Sequence, residues 1–165
     1  MCRIFRTVLF TVCCCVVAAA AVQAEKGCAL LLSNDAGAML FSCPAREGFA
    51  FGLRFVHSVA QSPVEEWFYV EGGMIYLDRT VYQDFGAGLP HAPEAGQTMT
   101  TTNGHIVISG YRRPLPSFTV RVGRVAGHRL LLPPAEGMGA WREIPLDSLS
   151  PAGSAVTFSL SRADG

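Results

Sequence analysis

Residues 53–79 read LRFVHSVAQSPVEEWFYVEGGMIYLDR, and the alternations inside them decide the fold. Leu53 and Phe55 alternate with Arg54 and Val56. Val64, Glu66, Phe68 and Val70 alternate with Glu65, Trp67, Tyr69 and Glu71. A period of two marks a strand with one buried face. Gly72-Gly73 leads into a third run, Met74 to Arg79, and a glycine pair suits a tight hairpin. A connection centred between Gln61 and Ser62 sets Leu53 opposite Val70, Phe55 opposite Phe68 and His57 opposite Glu66. A turn at Gly72-Gly73 sets Val70 opposite Ile75, Phe68 opposite Leu77 and Glu66 opposite Arg79. Apolar meets apolar in both hairpins, the condition that fixes register in a half-buried sheet. The inner face is therefore expected to end in a polar row, His57–Glu66–Arg79.

The same pattern recurs along the chain. Phe49 and Phe51 extend the first run. Phe118, Val120 and Val122 form another, as do Val156, Phe158 and Leu160. Asn103-Gly104 and Ala126-Gly127 are further turn signals, and no amphipathic helix is evident beyond a turn in Pro145–Leu149. An all-β, single-domain antiparallel sandwich or partly closed barrel is expected.

The amino terminus reads differently. Arg3 and Arg6 precede an uncharged run that ends in small residues, with Val22-Gln23-Ala24 suited to a signal-peptidase cut. The apolar stretch Val8–Val22 is shorter than the roughly 17–25 residues that span a bilayer. Residues 1–24 are read as a cleaved signal peptide and 25–165 as one all-β domain, placed in the periplasm or an equivalent extracytoplasmic space. A lipid anchor on Cys13, Cys14 or Cys15 is the minor alternative. Membrane contact is expected only through an uncleaved leader.

After Ala24 the chain keeps all 13 acids but only 11 of its 13 bases, which is no footprint for nucleic acid. The bases after residue 95 are all arginine, so a docking face for an acidic or anionic partner is open beside an ordinary charged surface. Of the six cysteines, Cys28 and Cys43 survive removal of the leader. Folding about Asn34-Asp35-Ala36-Gly37 brings them opposite one another, so a disulfide is expected in an exported chain, against two free buried thiols.

The row His57–Glu66–Arg79 has two readings. It is a satisfied polar plug at the end of the core, or the floor of a pocket covered by residues 84–97, DFGAGLPHAPEAGQ. The second reading adds Phe85, Gly86, Gly88 and His91 as candidate ligand-binding residues, the glycines as a nest for an anion. His57, Glu66 and His91 could offer nitrogen and oxygen to a metal, but no HxH or HExxH spacing is present, and neither a metal nor a cofactor is expected. Glu65 falls on the opposite face with Trp67 and Tyr69 and receives no role.

HSV at 57–59, PVEEW at 63–67 and FGAGLP at 85–90 together resemble the Domain of Unknown Function 1850 family. The resemblance covers most of the chain after the leader. It implies a small exported bacterial protein of the kind encoded beside TAXI-type TRAP transporters. The implied role is a periplasmic accessory or solute-binding module. Its implied partners are components of such a transporter or an anionic or amino-acid-like solute. The alternative is a small periplasmic enzyme or metal-dependent hydrolase using His57 and Glu66.

Overall fold

The computed structural model describes residues 28–85, 88–134 and 139–162. The leader and its proposed cut lie outside these residues. Eleven strands form: β1 (Cys28–Asn34), β2 (Met39–Pro44), β3 (Ala50–Val56), β4 (Pro63–Glu71), β5 (Met74–Tyr82), β6 (Thr98–Thr102), β7 (His105–Leu115), β8 (Ser117–Arg121), β9 (Arg129–Leu132), β10 (Arg142–Pro145) and β11 (Ala155–Arg162). A 3-10 turn, Leu146–Ser148, follows β10. The strands make two antiparallel sheets that do not close into a barrel. One runs β2-β1-β11-β8, the other β10-β9-β3-β4-β5-β7-β6. The expected all-β sandwich is the observed one.

The core lies between the sheets. Leu30, Leu32, Val156 and Phe158 face Phe51, Leu53, Phe68, Val70, Ile75 and Leu130. Four phenylalanines from both sheets stack through it. Ring centroids are 5.1 Å apart for Phe51–Phe68, 4.7 Å for Phe68–Phe118 and 4.6 Å for Phe118–Phe158. Such stacking adds to the burial that drives the two sheets together. The seven-stranded sheet extends past its partner. There, Val64, Tyr82, Ile106 and Ile108 form a second apolar cluster, covered by Leu89 from the 84–97 connection. The Tyr82 hydroxyl donates to the Pro90 carbonyl and pins that connection down.

Three hairpins determine which side chains meet, and each departs from the expected register. In β1–β2, Leu30 pairs with Cys43, and the Cys28 carbonyl accepts from the Ala45 amide at 2.8 Å. The cysteines are two positions out of step and both are free thiols, so the expected disulfide is corrected. The cause is local. The Asn34 Oδ1 accepts from the amides of Ala36 (3.0 Å) and Ala38 (2.9 Å), which moves the turn toward Gly37, and a bulge at Leu32/Ser33 shifts the ladder. Burial holds the Cys43 thiol above its ordinary range, opposed by the charge of Arg142.

In β3–β4 the pairs are Leu53 with Glu66, Phe55 with Val64 and Val56 with Pro63. His57 is a loop residue. Its Nδ1 accepts from the amides of Val59 (3.3 Å) and Ala60 (3.1 Å), and its own amide donates to Ser62 at 2.9 Å. The connection is a closed loop of His57 to Ser62, with Gln61 at φ 51°. In β4–β5, Gly72 and Gly73 take φ of 57° and 72°, which matches the expected turn. Val70 pairs with Ile75 and Phe68 with Leu77 as expected. A bulge at Asp78 then sets Arg79 opposite Trp67 and Thr80 opposite Glu66.

Candidate functional site

The row His57–Glu66–Arg79 does not form. His57 stands opposite Ser62, four strand positions from Glu66, or about 13 Å at the strand rise. Arg79 lies on the opposite face of the sheet. Its guanidinium sits 4.9 Å over the Trp67 ring and pairs with Asp78 at 2.7 Å. Each departure has its own local origin. The Asp78 bulge reverses the faces of the residues after it, and the imidazole of His57 is used to close its loop.

Glu66 points inward, as the alternation required. Its row across the sheet is Leu130–Leu53–Glu66–Thr80–Ile108. It sits at the seam between the main core and the cluster under Leu89. Among the described residues it has no hydrogen-bond or ion-pair partner, and burial pushes its carboxyl above the usual range. Glu66 itself is partly exposed; among the described residues the buried polar atoms without a partner are Ser62 Oγ and His128 Nδ1. His128 packs 5.3 Å from the Phe55 ring, and burial lowers its imidazole.

The other candidate residues fall on the covering connection. Phe85 is 49% exposed, stacks on His91 at 5.2 Å and meets Tyr82 edge-on at 6.0 Å. Gly88 has φ of 92° and open space where a Cβ would sit. Gly86 lies outside the described residues. Among the described residues no group of three or more histidine, cysteine, aspartate or glutamate side chains is placed to hold a metal, so His57, Glu66 and His91 do not converge.

The polar chemistry gathers instead on the outer face of the seven-stranded sheet, around Glu65. Arg54 Nε donates to Glu65 Oε1 at 2.8 Å, and Trp67 Nε1 donates to Oε2 at 3.0 Å. Arg54 also pairs with Glu143, which Arg129 approaches at 3.6 Å. Trp67 makes an edge-to-face contact with Trp141 at 4.9 Å. Trp67 lies flat because the facing residue of β3 is Gly52. A Cβ there would meet Trp67 at 3.2 Å and Leu131 at 3.1 Å. Beside this ladder runs a groove of about 480 Å³ lined by Arg54, Pro63, Glu65, Val81 and His105. Its far wall, His105, is held by Gln83 at 3.1 Å and by the Asn103 carbonyl at 3.1 Å.

Sequence reasoning passed over Arg54, Pro63, Glu65, Val81 and His105. The alternation already placed Glu65 outward with Trp67, and Arg54 on the same face of β3. The missing fact was the register that makes Arg54 and Glu65 direct cross-strand partners.

A family described as Domain of unknown function (DUF1850) matches residues 51–136, just over half of the chain. That segment runs from β3 through β9 and contains every residue lining the groove. No curated protein and no solved structure matches the chain.

Proposed function

The chain belongs to the Domain of unknown function (DUF1850) family, and from that premise we propose that it is an extracytoplasmic accessory module that docks a protein partner and performs no chemistry of its own. One observation carries this reading. The outer face of the large sheet presents a fixed array of charged and aromatic side chains around an open groove, and the matched segment holds the groove's whole lining. Arg54 and Glu65 already satisfy one another, and Trp67 is braced by Gly52, Arg79 and Trp141. Such a surface loses little side-chain entropy when a partner settles on it. Small-molecule sites bury about 70–90% of their ligand, and an open groove on the outer face of a sheet suits an extended protein surface better than a solute.

The family resemblance supplies the setting. A signal peptide would carry the domain across the membrane, where a TRAP-type transporter for organic anions or amino-acid-like solutes offers the partner. A photo-reactive amino acid at Val81, expressed in the native host, tests this. The expected result is a cross-link to a transporter component, lost when Arg54→Glu breaks the ladder. Absence of any transporter cross-link, with solute uptake unaffected by deleting the protein, would overturn the proposal.

A further inference from the structure

Sheets that do not close leave edges, and the described residues contain four edge strands: β2, β8, β10 and β6. An unpaired row of N–H and C=O groups invites another strand, and proteins blunt such rows with proline, charge, bulges or brevity. Three of these edges carry such devices. β10 has only four residues, among them Arg142, Glu143 and Pro145. β8 follows Pro116 and ends in Arg121. β2 is out of step with β1 at a bulge and ends in Pro44. The β6 strand, five residues long, has no proline, charge or bulge. Thr98-Met99-Thr100-Thr101-Thr102 is uncharged, lacks proline and pairs with β7 in unbroken register from Ser109 to His105. Threonine is enriched in strands. Among the described residues no backbone group of Thr98–Thr102 bonds to anything but β7.

Beyond the amino end of β6 the exposed arginines of β7 outnumber the nearby carboxylate of Glu94, which is held by Gln97. Thr98 faces Ser109, and the next residues of β7, Gly110-Tyr111-Arg112, form a bulge before Arg113 rejoins the ladder opposite Leu77. Arg112 and Arg113 are exposed and make no ion pair among the described residues. A strand added antiparallel to β6 would run its carboxyl-terminal end toward the part of β7 that carries these arginines. On the outer face it would adjoin the groove wall at His105.

We propose that β6 is a docking edge for an extended segment of a protein partner, added antiparallel as a further strand. The segment is uncharged and β-branched in its middle and acidic, or chain-terminal, at the end that meets Arg112 and Arg113. Main-chain bonds to the edge supply affinity, and the arginines set polarity. A second copy of this chain fits less well. Five residues of edge pairing fall far short of the roughly 1,600 Å² of a standard stable interface. The proposal deepens the docking reading above, because it names the edge and the chemistry of what binds there.

The test selects from random octapeptides carrying a free terminal carboxylate on the purified protein. Enriched peptides are then titrated into it while the backbone amides are followed by NMR. Enrichment of β-branched peptides with an acidic end is expected, with perturbation centred on Thr98–Thr102. Arg112→Glu combined with Arg113→Glu should weaken binding at least tenfold. Thr100→Lys, an edge charge that leaves pairing to β7 intact, should do the same. Basic peptides, or perturbation confined to Arg54, Val81 and His105, would overturn the β6 assignment while leaving the docking reading in place. No enrichment at all would count against both. Protection of β6 amides that grows with protein concentration in the absence of peptide would replace the partner with a second copy.

Discussion

Glu66 and Glu65 are neighbours in sequence and opposites in energy. Glu66 faces the core without a partner, and Glu65 faces outward with two. Burying a polar group without a compensating hydrogen bond costs about 1–3 kcal/mol in protein mutational series. Glu66→Leu removes that cost and extends the apolar row of Leu130, Leu53 and Ile108. Because Glu66 is only partly buried, at pH 7 the variant should be more stable than the parent by about 1 kcal/mol, or about 3–5 °C in Tm. Glu66→Gln should gain less, because an amide is still buried. The pH dependence identifies the cause. In the unfolded chain the carboxyl titrates in the ordinary range, and in the folded chain burial raises it. Between the two values the folded state holds the extra proton, so parent stability is fullest below the ordinary value and falls as pH rises through the raised one. The advantage of Glu66→Gln should therefore be small near pH 4 and grow toward pH 7. Glu65→Ala should destabilise by about 1–2 kcal/mol, through loss of the half-exposed Arg54 pair and the Trp67 bond. Urea melts across pH measure all three variants. A Glu66→Leu protein less stable than the parent at pH 7, or a Glu66→Gln difference that ignores pH, would refute the claim that this carboxylate is unpaired.

Gly52→Ala should cost about 1–3 kcal/mol, since its Cβ would press on Trp67 and Leu131, and a matching loss of the Trp67 near-UV signal would confirm where the strain falls. His128→Phe should flatten the acid side of the stability profile. Burial lowers this imidazole, so the unfolded chain takes up protons first and stability falls as pH drops below the ordinary histidine value. Reductant should leave Tm unchanged, and Cys28 and Cys43 should both alkylate in denaturant without it; protection of either thiol would contradict the register of β1 and β2.

The strands themselves were legible, because period two in Phe49–Val56, Val64–Val70 and Val156–Leu160 survives any register. So was the inward aim of Glu66, which depends only on parity within β4. What the sequence could not convey was set by single backbone events. Asp78 is inserted in a ladder that reads as regular, and the insertion carries Arg79 to the far side of the sheet. His57 looks like the next strand residue after Phe55 and Val56, yet its ring caps two loop amides and ends the strand. Asn34 displaces a turn by taking amides from Ala36 and Ala38. Each is a local hydrogen-bond choice of about 1 kcal/mol, too small to show in a hydrophobic pattern and large enough to decide which side chains meet.

The pairing of β1 with β11 bears on how the chain reaches this state. Cys28 lies beside Arg162, so the earliest described strand finds its main partner in the last. As the chain emerges from a ribosome, β1 and β2 are available before β11 but keep the core side of Leu30 and Leu32 uncovered. They must wait until Val156 and Phe158 arrive. Contacts of such long sequence separation slow folding, because the loop-closure entropy precedes the gain. A chain cut before Ala155 would lose the strand that joins β1 to β8, and the small sheet would separate into a hairpin and a lone strand. Completion of the sandwich therefore waits for β11, and a chain lacking that strand would remain exposed to proteases and chaperones.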